Sequence, residues 1–146
     1  MSERLGVNIE SPFGSKVKIE VVELDFGKIY LVEGKPVLFK INDRILPTLL
    51  LKDFYIKAPK VTVDMGAIPY VCNGADIMAP GIVRVEGEFS KGDLVIVIDE
   101  KHEKPLALGK SLFDSESIKN KTKGAAIKNF HFVSDIIWKF AKTLAE

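Results

Sequence analysis

Residues 61–83, VTVDMGAIPYVCNGADIMAPGIV, constrain this chain more than any other stretch. They hold three Gly, two Pro and one Cys, and Asp64 and Asp76 are their only formal charges. So little charge argues against an exposed loop, and so many turn residues argue against an unbroken core strand. The pattern predicts a strand, a short helix and a sharp turn in succession. Val61-Thr62-Val63 is the β-branched run of a strand. Asp64 stands where an N-cap carboxylate accepts an orphan helix N–H. The helix covers about 66–72, with Ile68, Val71 and Cys72 inward. Asn73-Gly74 ends it, because glycine tolerates left-handed φ. Residues 75–79 then extend to a turn at Pro80-Gly81.

Ahead of this stretch the period is two. Val17, Ile19 and Val21 alternate with Lys16, Lys18 and Glu20, the signature of a half-buried strand. Further strands are expected at 29–32 and 37–41, with turns at 25–28, at Glu33-Gly34-Lys35-Pro36 and at Asn42-Asp43-Arg44. Residues 45–51 fit either a short helix or an edge strand. Ser11, Pro12, Gly14 and Ser15 make a turn-rich segment, and 2–9 fit the end of a helix. Lys57-Ala58-Pro59-Lys60 is the expected boundary, since Pro59 biases Ala58 away from helix.

After 83 the strand continues to Gly87. Residues 94–99 are apolar on both faces, as in a central strand. A charged loop at 100–104 leads to a return strand at 106–110. A short helix at 115–120 starts from Asp114, and a basic loop at 121–124 follows. The last strand is 125–132, with Phe130 and Phe132 on one face and Lys128 and His131 on the other if a bulge restores register. Ser134 caps a C-terminal helix in which Val133, Ile136, Ile137, Phe140 and Leu144 keep helical spacing. The fold class is α+β: a small β-rich domain over 1–58, then a compact β barrel with short helices and a C-terminal helix over 59–146.

The net charge of +1 predicts no partner by itself. Lys119, Lys121, Lys123 and Lys128 nevertheless place four cations within ten residues with no acid between them, either a solvated loop or a phosphate contact. No apolar run approaches a membrane span, and the N-terminus lacks the apolar core of a signal peptide, so the expected location is cytoplasmic with no membrane partner. A single cysteine permits no internal disulfide and no cysteine-rich zinc site. His102 and His131 lie apart, and there is no HExxH, GxSxG, P-loop or Rossmann fingerprint. The expectation is therefore a non-enzyme with no cofactor and no metal.

The ordered series Gly66-x7-Gly74-Ala75-Asp76-x-Met78-x-Pro80-Gly81-Ile82, then Gly92-Asp93, Gly109, Gly124 and His131-x3-Asp135-x2-Trp138, resembles the PUA domain, an RNA-binding module. The phrase VDMGAIPYVCNGADIMAPGI, with Gly34-x2-Val37-Leu38-Phe39 and Leu46-Pro47-Thr48-Leu49, is similar to the malignant T-cell-amplified sequence family and its archaeal relatives. The resemblance implies a pre-PUA domain followed by a PUA-type pseudo-barrel. The family's helical segment ahead of the first strand is represented here by 2–9 at most. It also implies a translation factor that works with small ribosomal subunits and a partner protein, on tRNA or rRNA.

Residue chemistry places the expected RNA site in the opening stretch. Gly66 and Gly74 let a phosphate or ribose approach the backbone, and Ala67 and Ala75 add little bulk. The helix N-terminus between them suits phosphate, although Asp64 opposes it. Tyr70 either stacks on a base or covers the barrel, and Met78 and Pro80 offer an apolar shelf, with a core role for Met78 and a turn role for Pro80 as the alternatives. Lys128 and His131 would close the other side in a PUA fold, with a structural role for His131 equally open. Two further readings stand beside RNA binding in translation. One is a protein-interaction adaptor; the other is an accessory RNA-binding subunit of a modification enzyme acting in trans.

Overall fold

The computed structural model describes residues 3–10, 16–25, 27–133 and 135–145, without the side chains of 3–10, Lys16 and Asp53. The turn-rich 11–15, Phe26 within the expected 25–28 turn and the Ser134 cap lie outside the described residues. The chain divides into two compact units, Met1–Leu51 with Ile136–Glu146, and Lys52–Asp135.

The first unit is a five-stranded antiparallel meander: β1 (Glu3–Glu10), β2 (Lys16–Leu24), β3 (Gly27–Val32), β4 (Lys35–Ile41) and β5 (Arg44–Pro47), in that spatial order. Local chemistry sets its tight turns. Glu33 and Gly34 take φ of 50° and 80°, and Asn42 and Asp43 take 50° and 64°. Both central residues of each turn are left-handed, the geometry whose twist matches paired strands. Ile29, Leu31 and Phe39 are enclosed in the core.

Two expectations are corrected here. Residues 2–9 were expected as a helix end, but β1 pairs with β2 along its length, from Glu3↔Glu23 to Glu10↔Lys16. Leu5, Val7 and Ile9 alternate with Arg4, Gly6 and Asn8, which is the period of a strand. The C-terminal helix, α4 (Ile136–Ala145), packs on β4 and belongs with this unit, not with the barrel that precedes it in sequence. It buries Ile137 and Ala141, while Ile136 and Phe140, of the same helical series, are exposed. Of the open segment 45–51, residues 45–47 belong to the edge strand β5, and 48–51 are a turn.

The second unit begins with α1 (Lys52–Lys57) and curls a six-stranded sheet in the order β7-β11-β10-β9-β6-β8. Its strands are β6 (Lys60–Val63), β7 (Ile77–Met78), β8 (Ile82–Glu86), β9 (Leu94–Asp99), β10 (Pro105–Ser111) and β11 (Ala125–Phe132). Among the described residues, only β6–β9 is a parallel pair. A 3₁₀ turn (Met65–Ala67) leads into α2 (Ile68–Val71), a second (Ala79–Gly81) into β8, and α3 (Ser115–Asn120) precedes β11. β9 lies between β10 and β6 with Val95 to Asp99 all buried, the position its two-sided apolar pattern predicts. Val83, half exposed, sits on the edge strand β8. Val61, Val63, Val71, Ile77, Val95, Val97, Ala126 and Ile127 form the core beneath the short helices. Among the described residues, no helix is long and apolar enough to cross a membrane.

Candidate nucleic-acid interface

Residues 64–81 wrap around an open groove of about 350 Å³. Gly66, Ala67 and Tyr70, from the first 3₁₀ turn and α2, line it together with Ala75, Met78, Pro80 and Gly81. Val71 and Ile77, each 2 % exposed, make an apolar floor. Tyr70 is 70 % exposed and Met78 49 %, so both offer apolar faces to a ligand instead of filling the core. A phenol ring and a thioether flanking a recess of small residues suit a flat unstacked base.

Local bonds hold the wall near Tyr70. The Asp64 carboxylate accepts the Ala67 N–H at 2.9 Å, as its N-cap position predicts. Glu100 accepts the Met65 N–H at 3.2 Å. Two N–H groups at the start of the turn, of Met65 and Ala67, are thus already held by carboxylates, whose charge repels an anion. The groove lining itself contains Asp64 and Asp76 and no cation.

The turn after α2 is held by a residue that sequence reasoning missed. The Asn129 amide on β11 donates to the Val71 and Ala75 carbonyls, both at 3.0 Å, and its backbone N–H donates to Asp76 at 3.0 Å. A polar residue between Lys128 and the aromatic pair of β11 was its only signal in the sequence.

Five of the eight expected contact residues, Gly66, Ala67, Tyr70, Ala75 and Met78, line the groove together. Gly74 does not. It lies behind the wall with φ +93°, where a Cβ would stand 3.2 Å from the Phe132 ring. Its glycine answers to turn geometry and close packing, as do many glycines at helix ends. Lys128 is exposed on β11 opposite Lys110 but outside the groove lining. His131 is the clear correction. The expected bulge exists, since pairing shifts from Leu108↔His131 to Gly109↔Asn129, yet His131 is fully enclosed. Its Nδ1 lies 2.7 Å from Asp135 Oδ2, which also accepts the Phe132 N–H at 2.9 Å. With 0 % exposure its ring cannot meet a ligand. Pro80, the expected partner of Met78 in an apolar shelf, also lines the groove, and so does Gly81, which was expected only as part of the turn.

Cys72 packs against the core behind α2, and burial raises its thiol above the ordinary range, which disfavours the nucleophilic thiolate. Among the described residues, no group of three or more His, Cys, Asp or Glu side chains is placed to hold a metal ion.

Comparison with known proteins gives this geometry a family. Residues 59–133 match the PUA domain and residues 1–52 match a domain of unknown function (DUF1947). An uncharacterized protein of Methanocaldococcus jannaschii is 42 % identical over 135 residues, covering 91 % of this chain and 83 % of that protein. Translation machinery-associated protein 20 of Saccharomyces cerevisiae is 33 % identical over 141 residues, covering 91 % and 78 %. The malignant T-cell-amplified sequence 1 homolog of Drosophila melanogaster is 34 % identical over 111 residues, covering 73 % and 61 %. A crystal structure of a PUA domain from Aeropyrum pernix K1 superposes with a TM-score of 0.82 at 27 % identity, covering 100 % of this chain and 94 % of that one. A chain of an H/ACA ribonucleoprotein bound to a substrate RNA superposes at 0.54 and 30 % identity, covering 66 % and 29 %. The chain belongs to the PUA-domain family, in the branch that carries DUF1947 ahead of that domain.

Proposed function

We propose that this protein is a non-catalytic RNA-binding translation factor whose groove holds the unpaired acceptor end of a tRNA. The observation that carries the reading is the groove between Tyr70 and Met78, apolar, open and floored by Val71 and Ile77. A base removed from its stack recovers stacking energy on such a surface, and any base serves because each has a π-face. The relatives named for the translation machinery, and the superposition on an RNA-bound ribonucleoprotein, support an RNA partner within translation. The first unit would then contact the small ribosomal subunit or a partner protein.

The test is direct binding of a tRNA transcript, intact and lacking its single-stranded 3′ end. Loss of the end is expected to weaken binding, and so is Tyr70→Ala, by about 1–3 kcal/mol for one lost base stack. Tyr70→Phe should keep most of the affinity. If neither end removal nor Tyr70→Ala changes the affinity, the groove does not hold the acceptor end.

A further inference from the structure

The groove presents an electrostatic problem, because it has two carboxylates and no cation while RNA carries one negative charge per nucleotide. A second concavity of the same unit, about 150 Å³, has the opposite character. Arg84, Lys119 and Lys121 line it, with no acid in the lining. The 3₁₀ turn Ala79–Gly81 divides the two recesses: Pro80 and Gly81 face the groove, while Ala79 and Ile82 face the notch. Gly81 and Ile82 are consecutive, about 3.8 Å apart at Cα, so a strand crossing this ridge passes from one recess into the other.

The fold fixes the cations against that ridge. Lys119 is in the last turn of α3 and Lys121 follows its end. The loop beyond them is tied to the ridge by the Ala79 N–H, which donates to the Gly124 carbonyl at 2.8 Å. Arg84 projects from β8, the strand that leaves the ridge. Arg84 pairs with Glu86 at 3.0 Å and Glu103 at 3.4 Å, and Lys119 with Glu116 at 3.8 Å. These are exposed pairs, weakened by water and salt and easily exchanged for a phosphate. The Lys121 ammonium lies 4.4 Å from the centre of the Phe113 ring, and among the described residues no carboxylate forms an ion pair with it.

Resting on the groove reading, we infer that the Arg84–Lys119–Lys121 notch is the phosphate-binding half of the RNA site. It takes a backbone phosphate of the strand whose base occupies the groove. The groove thus supplies stacking, and the notch supplies the counter-charge that the groove lacks.

The experiment measures the affinity of a tRNA transcript across a salt series for wild type, Lys119→Gln/Lys121→Gln, Lys121→Arg and Tyr70→Ala, with melting temperature as the fold control. Each lost single-strand phosphate contact should flatten the slope of log K against log salt by about 0.7. The double lysine variant is therefore expected to bind more weakly at low salt and to converge on wild type at high salt. Lys121→Arg should keep the wild-type slope, and Tyr70→Ala should lose affinity with its slope unchanged. If Tyr70→Ala weakens binding while the double lysine variant keeps both slope and affinity, the notch proposal falls and the groove reading stands. If the lysine variant flattens the slope while Tyr70→Ala has no effect, the notch is not coupled to the groove and the proposal is equally overturned. If neither variant changes binding, both readings fall.

Discussion

At the scale of single residues, the side chains that matter for the groove are of two kinds. Tyr70 and Met78 are exposed and would meet a ligand, whereas Asn129 shapes the wall from behind. The distinction predicts opposite phenotypes. Asn129→Ala removes the donors to two carbonyls of the turn, Val71 and Ala75. Leaving such acceptors unpaired costs about 1–3 kcal/mol. The variant should therefore unfold at lower denaturant concentration than wild type. Tyr70→Ala, at a site 70 % exposed, should leave the denaturation midpoint nearly unchanged. A denaturation midpoint for Asn129→Ala equal to wild type would show that water satisfies those carbonyls and that Asn129 does not hold the wall. For Tyr70 the sequence left open whether it stacks on a base or covers the barrel, and the fold leaves its ring exposed at the groove. For His131 the sequence left contact and structural roles equally open, and the structural one holds because burial depends on distant packing: its ring is enclosed and bonded to Asp135.

At the scale of elements, the short-range devices were legible. The Asp64 and Asp114 caps each bond the N–H three residues on, and the Glu33-Gly34 and Asn42-Asp43 turns adopt the left-handed φ their residues permit. The β11 bulge was anticipated, but its consequence for β10 was not. At Gly109 a Cβ would lie 2.3 Å from Ile127 Cγ2 and 2.8 Å from the Lys128 carbonyl oxygen. The register shift between β10 and β11 falls at this same position. Backbone cannot yield as a flexible side chain can, so Gly109→Ala should overpack the sheet and cost about 1–3 kcal/mol, possible only to relieve by moving β11. Thermal unfolding of the variant checks this, and an unchanged melting temperature would mean that the two strands part freely there. The helical reading of 2–9 failed for a different reason. The alternation of Leu5, Val7 and Ile9 is short and carries no turn signal of its own, and pairing with β2 is what fixes it as a strand.

At the scale of the whole molecule, the grouping of elements and the response to acid are set by long-range contacts. Asp99 is 3 % exposed at the end of β9 and gathers the N–H groups of Lys101, His102 and Lys104. Burial pushes its carboxyl up, but the backbone N–H bonds from His102, Lys104 and Lys101 outweigh it and hold it below the ordinary range. Asp114 is lowered too, first by the backbone bond from Ser117. A carboxyl depressed in the folded state stabilises fully above its unfolded value, about 3.9, and that contribution is lost as pH falls through the folded value. Asp99→Asn should therefore reduce stability at pH 7 and make it fall less steeply below about pH 4, so that the two curves converge in acid. Denaturant midpoints measured from pH 7 down to about 2 test the sign, and parallel curves would remove Asp99 from the acid response. The placement of α4 shows the same dependence on distant contacts. It follows β11 directly in sequence, yet it packs on β4 of the first unit.

The amino-acid sequence by itself determined most strands other than β1, the Asp64 and Asp114 caps, the tight turns at 33–34 and 42–43, the family resemblance and the stretch that carries the groove. Each of these depends on neighbours within a few residues, where periodicity, backbone freedom and side-chain capping act directly. Tertiary structure alone decided the strand order β7-β11-β10-β9-β6-β8, the enclosure of His131 and the grip of Asn129 on a turn 54 residues away. It also set Arg84 beside Lys119 and Lys121 across the ridge from the groove. These depend on which distant surfaces are buried against each other, and burial is a property of the packed chain as a whole.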